Sequence, residues 1–197
     1  MLADHEIRTI WQACLDDSFG RIVKLLLLTG CRREEIGALK WEEVKLDTGV
    51  LTVPGSRTKN HRTLELTLPQ VAIDILRSAP QLAEQEYVFG TRSGGPFNAW
   101  SAAKLRLDSR IVLATGQQLS RWTLHDLRRT MRSGLGRLGV PPHVAELAIN
   151  HARGGVQAIY DRYTYQSEVA RALALWADHV RTLIAGGERK IVSLRQA

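Results

Sequence analysis

With 197 residues, 44% of them hydrophobic, the chain is long enough to build one sizeable domain around its own core. It carries 27 Lys and Arg against 20 Asp and Glu, a formal charge of +7, which points toward a polyanionic partner without identifying one. The chain has two cysteines, no C-x-x-C or H-E-x-x-H spacing, an apolar run at Leu25 to Leu28 too short for a bilayer, and no signal-peptide pattern, which argues against a disulfide scaffold, a zinc site, a membrane span and secretion. A soluble cytoplasmic protein is expected, with Cys14 and Cys31 reduced in its core.

Asp4 can cap a first helix, because Ile7, Ile10, Trp11, Cys14 and Leu15 recur at the spacing of one buried helical face. A second helix covers Ile22 to Leu28, Gly30 breaks it, and a third starts near Arg33 and runs to about Leu39. From Val50 the apolar period changes to two: Val50-Leu51-Thr52-Val53, a Pro54-Gly55-Ser56 turn, a polar stretch, then alternation from Thr63 to Leu68. This predicts an antiparallel sheet of about three strands between Leu46 and Leu68. Helices resume from Val71 to Arg77 and, beyond the Thr91-Arg92-Ser93-Gly94-Gly95-Pro96 loop, from about Asn98 to Leu113. Thr123 can cap the next helix, with Asp126 at the capping-box position and Leu124, Leu127, Met131, Leu135 and Leu138 facing inward, until Gly139 ends it. Pro142 opens a short helix carrying Val144, Leu147 and Ala148. A last helix from about Ser167 to Ile184 buries Val169, Leu173, Trp176, Val180 and Leu183. The expected fold class is mainly α with a small antiparallel β-sheet (α+β).

Five short segments put basic or nucleophilic residues at element ends, from where a scaffold can aim them into one cleft. Arg32 follows the Gly30 break at the start of a helix, where a guanidinium and the helix N-terminus both favour a phosphate; taken alone it reads as a solvated surface arginine. Lys59, in Arg57-Thr58-Lys59-Asn60, sits in the polar connection between two strands, from which a lysine can reach into a DNA groove or simply face water. His125 and Arg128 are three apart on one helix and share a face. His151 ends a short helix and Tyr160 follows nine residues later; singly they read as a helix-terminal histidine and a core tyrosine. Together these residues suit one chemistry. A phosphodiester attacked by an oxygen nucleophile concentrates negative charge on its non-bridging oxygens, and two arginines can hold those oxygens as Mg²⁺ does in other phosphoryl-transfer enzymes. A phenol is a poor nucleophile at neutral pH and needs cationic neighbours and a base to lose its proton.

The segments T-G-C-R-R-E-E-I, R-T-K-N, L-H-D-L-R-R-T, and N-H followed nine residues on by I-Y resemble, in order, the catalytic boxes of the tyrosine recombinase (phage integrase) family. The match runs from Arg32 to Tyr160, with fitting helices on either side. The resemblance implies that Arg32 and Arg128 clamp the scissile phosphate, Lys59 protonates the leaving 5′ oxygen, His125 acts in proton transfer, His151 hydrogen-bonds the phosphate, and Tyr160 is the nucleophile that forms a 3′-phosphotyrosine. Tyr163 and Tyr165 stand close by; the family's usual nine-residue spacing from His151 selects Tyr160.

The implied protein is the catalytic domain of a site-specific recombinase that integrates or excises a mobile element, such as a prophage, with no metal, ATP or other cofactor. Its implied partners are double-stranded DNA, further copies of itself as a tetramer on DNA, and accessory DNA-bending or directionality proteins, in the cytoplasm and nucleoid of a bacterium or phage host. Residues 1–185 are expected to form the catalytic domain and 186–197 a basic tail, with the family's N-terminal DNA-clamping domain absent from this chain. Two other readings remain: a DNA-binding module that has lost catalysis, and a relaxing topoisomerase or hairpin-forming resolvase built on similar residues.

Overall fold

A computed structural model describes residues 1–82, 84–151 and 164–186. At its centre lies α2 (Ser18–Thr29), where every residue except Ser18 and Lys24 is buried. An all-round apolar helix of this kind needs partners on several sides. It has them in α3 (Arg33–Gly37), α4 (Gln70–Arg77), α6 (Leu124–Arg137) and α8 (Gln166–Ile184). Asp17 starts α2 by accepting the Gly20 N–H at 2.7 Å, and Gly30 ends it in the left-handed conformation, φ 64°, donating to Leu26. The contact between α6 and α8 depends on Gly134, because a Cβ there would stand 2.2 Å from the Trp176 ring. The Trp176 indole in turn donates to the Leu27 carbonyl of α2 at 2.8 Å.

Around this centre, α1 (Asp4–Ala13) packs on α8 and on α5 (Trp100–Thr115), and α7 (Pro142–Ala148) packs on α6 and α8. The sheet order is β1 (Val44–Lys45), β2 (Val50–Val53), β3 (Leu64–Thr67), antiparallel throughout, with Leu51 opposite Leu66 and Val53 opposite Leu64. Leu51, Val53, Leu64 and Leu66 are all buried, so the period of two puts one face of the sheet on the core, where β3 meets α8. Cys14 and Cys31 are free and buried; burial pushes both thiols up to about 12, reinforced at Cys31 by the neighbouring Glu35 carboxylate. Among the described residues, no helix is long and apolar enough to cross a membrane.

The mainly helical fold with its small antiparallel sheet is the expected one, with local departures. The first strand lies at Val44–Lys45, ahead of the expected Leu46 limit, because a single 3-10 turn at Trp41–Glu43 leads straight into it. Ala3, not Asp4, is the N-cap of α1, and the Glu6 carboxylate accepts the Ala3 N–H at 2.8 Å. Leu15 does not join the buried face: the chain turns extended at Cys14, which leaves Leu15 52% exposed. Helix α3 stops at Gly37 rather than near Leu39, although Leu39 is still buried. His151 does not end α7; the helix closes at Ala148, and Asn150, φ 52°, turns the chain before His151. Tyr160 and the tail beyond residue 186 lie outside the described residues.

Candidate active site

Four element ends converge on one cleft of about 790 Å³: the start of α3, the β2–β3 connection, the start of α5 and the start of α6. Arg32, Lys59, His125 and Arg128 all line it. His151 is not among the lining residues.

Arg128 is the most deeply set of these residues, 4% exposed. Its Nη1 donates to the Gly30 carbonyl at 2.5 Å and its Nη2 to the Ile149 carbonyl. Two of the five guanidinium N–H groups therefore hold the break after α2 and the end of α7 in place. Burial, and then the nearby Arg32 charge, lowers the Arg128 pKa from its ordinary value. A guanidinium starts so far above neutrality that it keeps its charge.

Arg32 is the N-cap of α3. Its backbone N–H donates to Glu35 Oε2 at 2.6 Å, and its Nη1 meets Glu35 Oε1 at 2.9 Å, so one buried carboxylate fixes both the helix start and the guanidinium. Arg32 and Arg128 are near enough for one charge to act on the other, and with Arg33, Arg57, Lys59 and Lys104 against Glu34 and Glu35 they leave the described lining of the cleft net positive, suited to an anion.

His125 is the second residue of α6 and is exposed at the cleft. It is held there by the helix start, where the Asp126 carboxylate accepts both the Thr123 N–H at 2.9 Å and the Thr123 hydroxyl at 2.8 Å. Burial raises the Asp126 pKa, but those two hydrogen bonds, with the N-terminal ammonium and Arg129, outweigh it and the net shift is downward.

Lys59 stands exposed on the turn that follows a 3-10 segment, Gly55–Arg57. The base of this loop is fixed by Arg57, whose Nε and Nη2 bond the buried Glu43 carboxylate at 2.8 and 2.6 Å. Its tip is fixed by Asn60, which donates to the Asn150 carbonyl at 2.7 Å. The loop carrying Lys59 is thereby tied to the segment that carries His151.

His151 Nδ1 lies 2.5 Å from Glu146 Oε2. Tyr165 is the N-cap of α8 and packs edge-on against His143 of α7, ring centroids 5.0 Å apart.

Sequence reasoning missed Glu35, the Glu43–Arg57 pair, Glu146, and the far wall of the cleft. That wall includes Trp100 and Trp122, with the Lys104 ammonium 3.8 Å from the Trp122 ring centroid and bonded to Asp108. Glu35 had a readable signal, the three-residue spacing from a helix cap to a glutamate that marks a capping box. The partners of Glu43 and Glu146 are far away in sequence or beyond a helix end, and no local pattern announces them.

A mainly helical scaffold with a small sheet at one side brings two guanidinium groups, a lysine and a histidine to the lining of one cleft, whose charge suits an anion. The phage integrase family model matches residues 1–167, and the chain belongs to that family. Similar proteins include prophage integrase IntA of Escherichia coli K12, 28% identical over 166 residues, 81% of this chain and 38% of that protein. Prophage integrase IntZ of the same organism is 25% identical over 170 residues, 83% of this chain and 40% of that protein. The chain thus spans about two fifths of the length of these relatives. Among solved structures, the integrase of transposon Tn1549, in complex with circular intermediate DNA, superposes with a TM-score of 0.58 at 14% identity, covering 81% of this chain and 62% of that one.

Proposed function

We propose that residues 1–185 are the catalytic domain of a site-specific DNA recombinase that cuts and rejoins double-stranded DNA through a 3′-phosphotyrosine, and that 186–197 are its tail. The observation that carries this reading is the single cleft lined by Arg32, Arg128, Lys59 and His125 in a chain of the phage integrase family. DNA as the substrate is supported by the similar fold of an integrase solved with DNA.

In this reading Arg32 and Arg128 hold the non-bridging oxygens of the scissile phosphate and stabilise the charge that builds there in the transition state. The Tyr160 phenol oxygen forms the new bond to phosphorus and the bond to the 5′ oxygen breaks. Lys59 delivers a proton to that leaving oxygen, His125 serves the proton transfers, and His151 donates to the phosphate. Reversal with a new 5′ hydroxyl rejoins a strand. One phosphodiester is exchanged for another of similar energy, so neither ATP nor a metal ion is needed. In the whole protein we propose a tetramer on DNA in the bacterial cytoplasm, helped by DNA-bending or directionality proteins.

The test is incubation with a nicked duplex carrying the sequence at which the element joins its host DNA, in chelator and without nucleotide. A protein–DNA adduct that survives denaturant is expected. A band shift with no adduct would instead mark a binding module that has lost catalysis.

A further inference from the structure

We infer that Glu146 is a positioning residue for His151, acting as the carboxylate of a carboxylate–histidine pair; the inference rests on the proposed role of His151 at the phosphate. Each Glu146 oxygen has a separate partner: Oε1 accepts from Arg132 Nε of α6 at 2.7 Å, and Oε2 meets His151 Nδ1 at 2.5 Å. The main chain repeats the tie, because the His151 N–H donates to the Glu146 carbonyl at 2.9 Å across the left-handed Asn150. Asn60 holds Asn150 from the other side. The imidazole is thus held by Glu146 of α7, which Arg132 of α6 holds in turn, while Asn60 of the Lys59 loop holds the backbone just before it; none of the three lines the cleft.

The consequence is chemical. A ring whose Nδ1–H is committed to a carboxylate presents Nε2 as its outward nitrogen, and the partner of one ring nitrogen decides what the other does. Protonated, such a ring donates to a phosphate oxygen through Nε2–H, with its positive charge compensated by the carboxylate behind it. Arg132 stops Glu146 from swinging away and keeps it ionised: burial raises the Glu146 pKa, but the bonds from Arg132 and His151 bring the net shift downward.

Two measurements test this. The first, ring-nitrogen NMR of the free protein, reads the tautomer of neutral His151. It should carry its proton on Nδ1 in the wild type and move to Nε2 in Glu146→Ala. A wild-type ring protonated on Nε2 overturns the inference, whatever the protein does to DNA.

The second is a double-mutant cycle on cleavage of the nicked duplex. Glu146→Ala should slow cleavage by about tenfold or more while DNA affinity is kept, the isosteric Glu146→Gln should restore part of the rate, and Glu146→Ala should cost nothing further in a His151→Ala background. Equal losses from Glu146→Ala with and without His151 would show a structural tie between α6 and α7 instead. If the wild type makes no adduct, the proposed function fails, and the tautomer alone then decides whether Glu146 positions the ring.

Discussion

Arg128 performs two tasks that a lysine cannot combine. Its planar fork bridges the carbonyls of Gly30 and Ile149, in segments more than a hundred residues apart, and its three further N–H donors give it the capacity to bond an anion as well. Arg128→Lys keeps a charge at this place but leaves at least one buried carbonyl without its donor. It should lower unfolding stability by about 1–3 kcal/mol in urea titration. In the proposed reaction it should also slow cleavage on the order of 10²-fold, because transition-state charge is no longer held in two-pronged fashion. An unchanged urea midpoint would show that the two carbonyls are satisfied without Arg128.

The residues that carry charge into the cleft were legible because they sit at element ends in short motifs, as Arg32 does after Gly30 and His125 after Thr123. The carboxylates that hold them were less so. Glu43 reads as a surface charge until the fold brings Arg57 to it, and Glu146 reads as an exposed helical glutamate until Arg132 and His151 close on it. Such pairings belong to tertiary structure, and composition and period do not encode them.

At the scale of elements, the start of α6 decides where His125 and Arg128 point, and the Thr123–Asp126 box sets that start. Asp126→Asn should cost about 1 kcal/mol of stability at neutral pH, since a capping carboxylate is replaced by a neutral amide. The pH dependence has a definite sign. The folded Asp126 pKa lies below its ordinary value of 3.8, so its contribution is fully present above that value and is lost as pH falls through the lower folded value. The stability gap between wild type and Asp126→Asn, read by urea unfolding, should therefore narrow in acid. A gap that widens in acid would contradict the role assigned to the carboxylate.

Periodicity located α2, α6 and α8 because each buries a long continuous face. It overran the ends of shorter elements. Leu15 and Leu39 continue an apolar pattern, yet the chain has already left the helix at Cys14 and Ala38, where tertiary packing overrides propensity. The first strand of the expected three lies just ahead of the Leu46 limit because two residues, Val44 and Lys45, are too few to show alternation and fix its position.

For the whole molecule, a formal charge of +7 and a cleft walled by arginine and lysine predict DNA binding carried by phosphate contacts. Affinity should fall steeply and linearly on a log–log plot as salt rises, as counterions displaced by Lys and Arg return to the DNA. A titration showing tight binding that ignores salt would mean that base or apolar contacts dominate.

In the proposed reaction a tyrosine of this chain, Tyr160, becomes covalently joined to DNA. The most direct measurement is denaturing-gel detection of the adduct on the nicked duplex, followed by mass spectrometry of the DNA-linked peptide, for the wild type and for Phe substitutions at Tyr160, Tyr163 and Tyr165. Removing one phenol oxygen leaves ring packing nearly unchanged, so each variant should fold and bind DNA. Tyr165, packed edge-on against His143 at the start of α8, should tolerate the change with cleavage intact. The wild-type adduct should map to Tyr160, and among the single variants Tyr160→Phe alone should form none. An adduct on Tyr163 or Tyr165 would move the nucleophile while keeping the chemistry, and undiminished adduct in the triple Phe variant would contradict the phosphotyrosine mechanism itself.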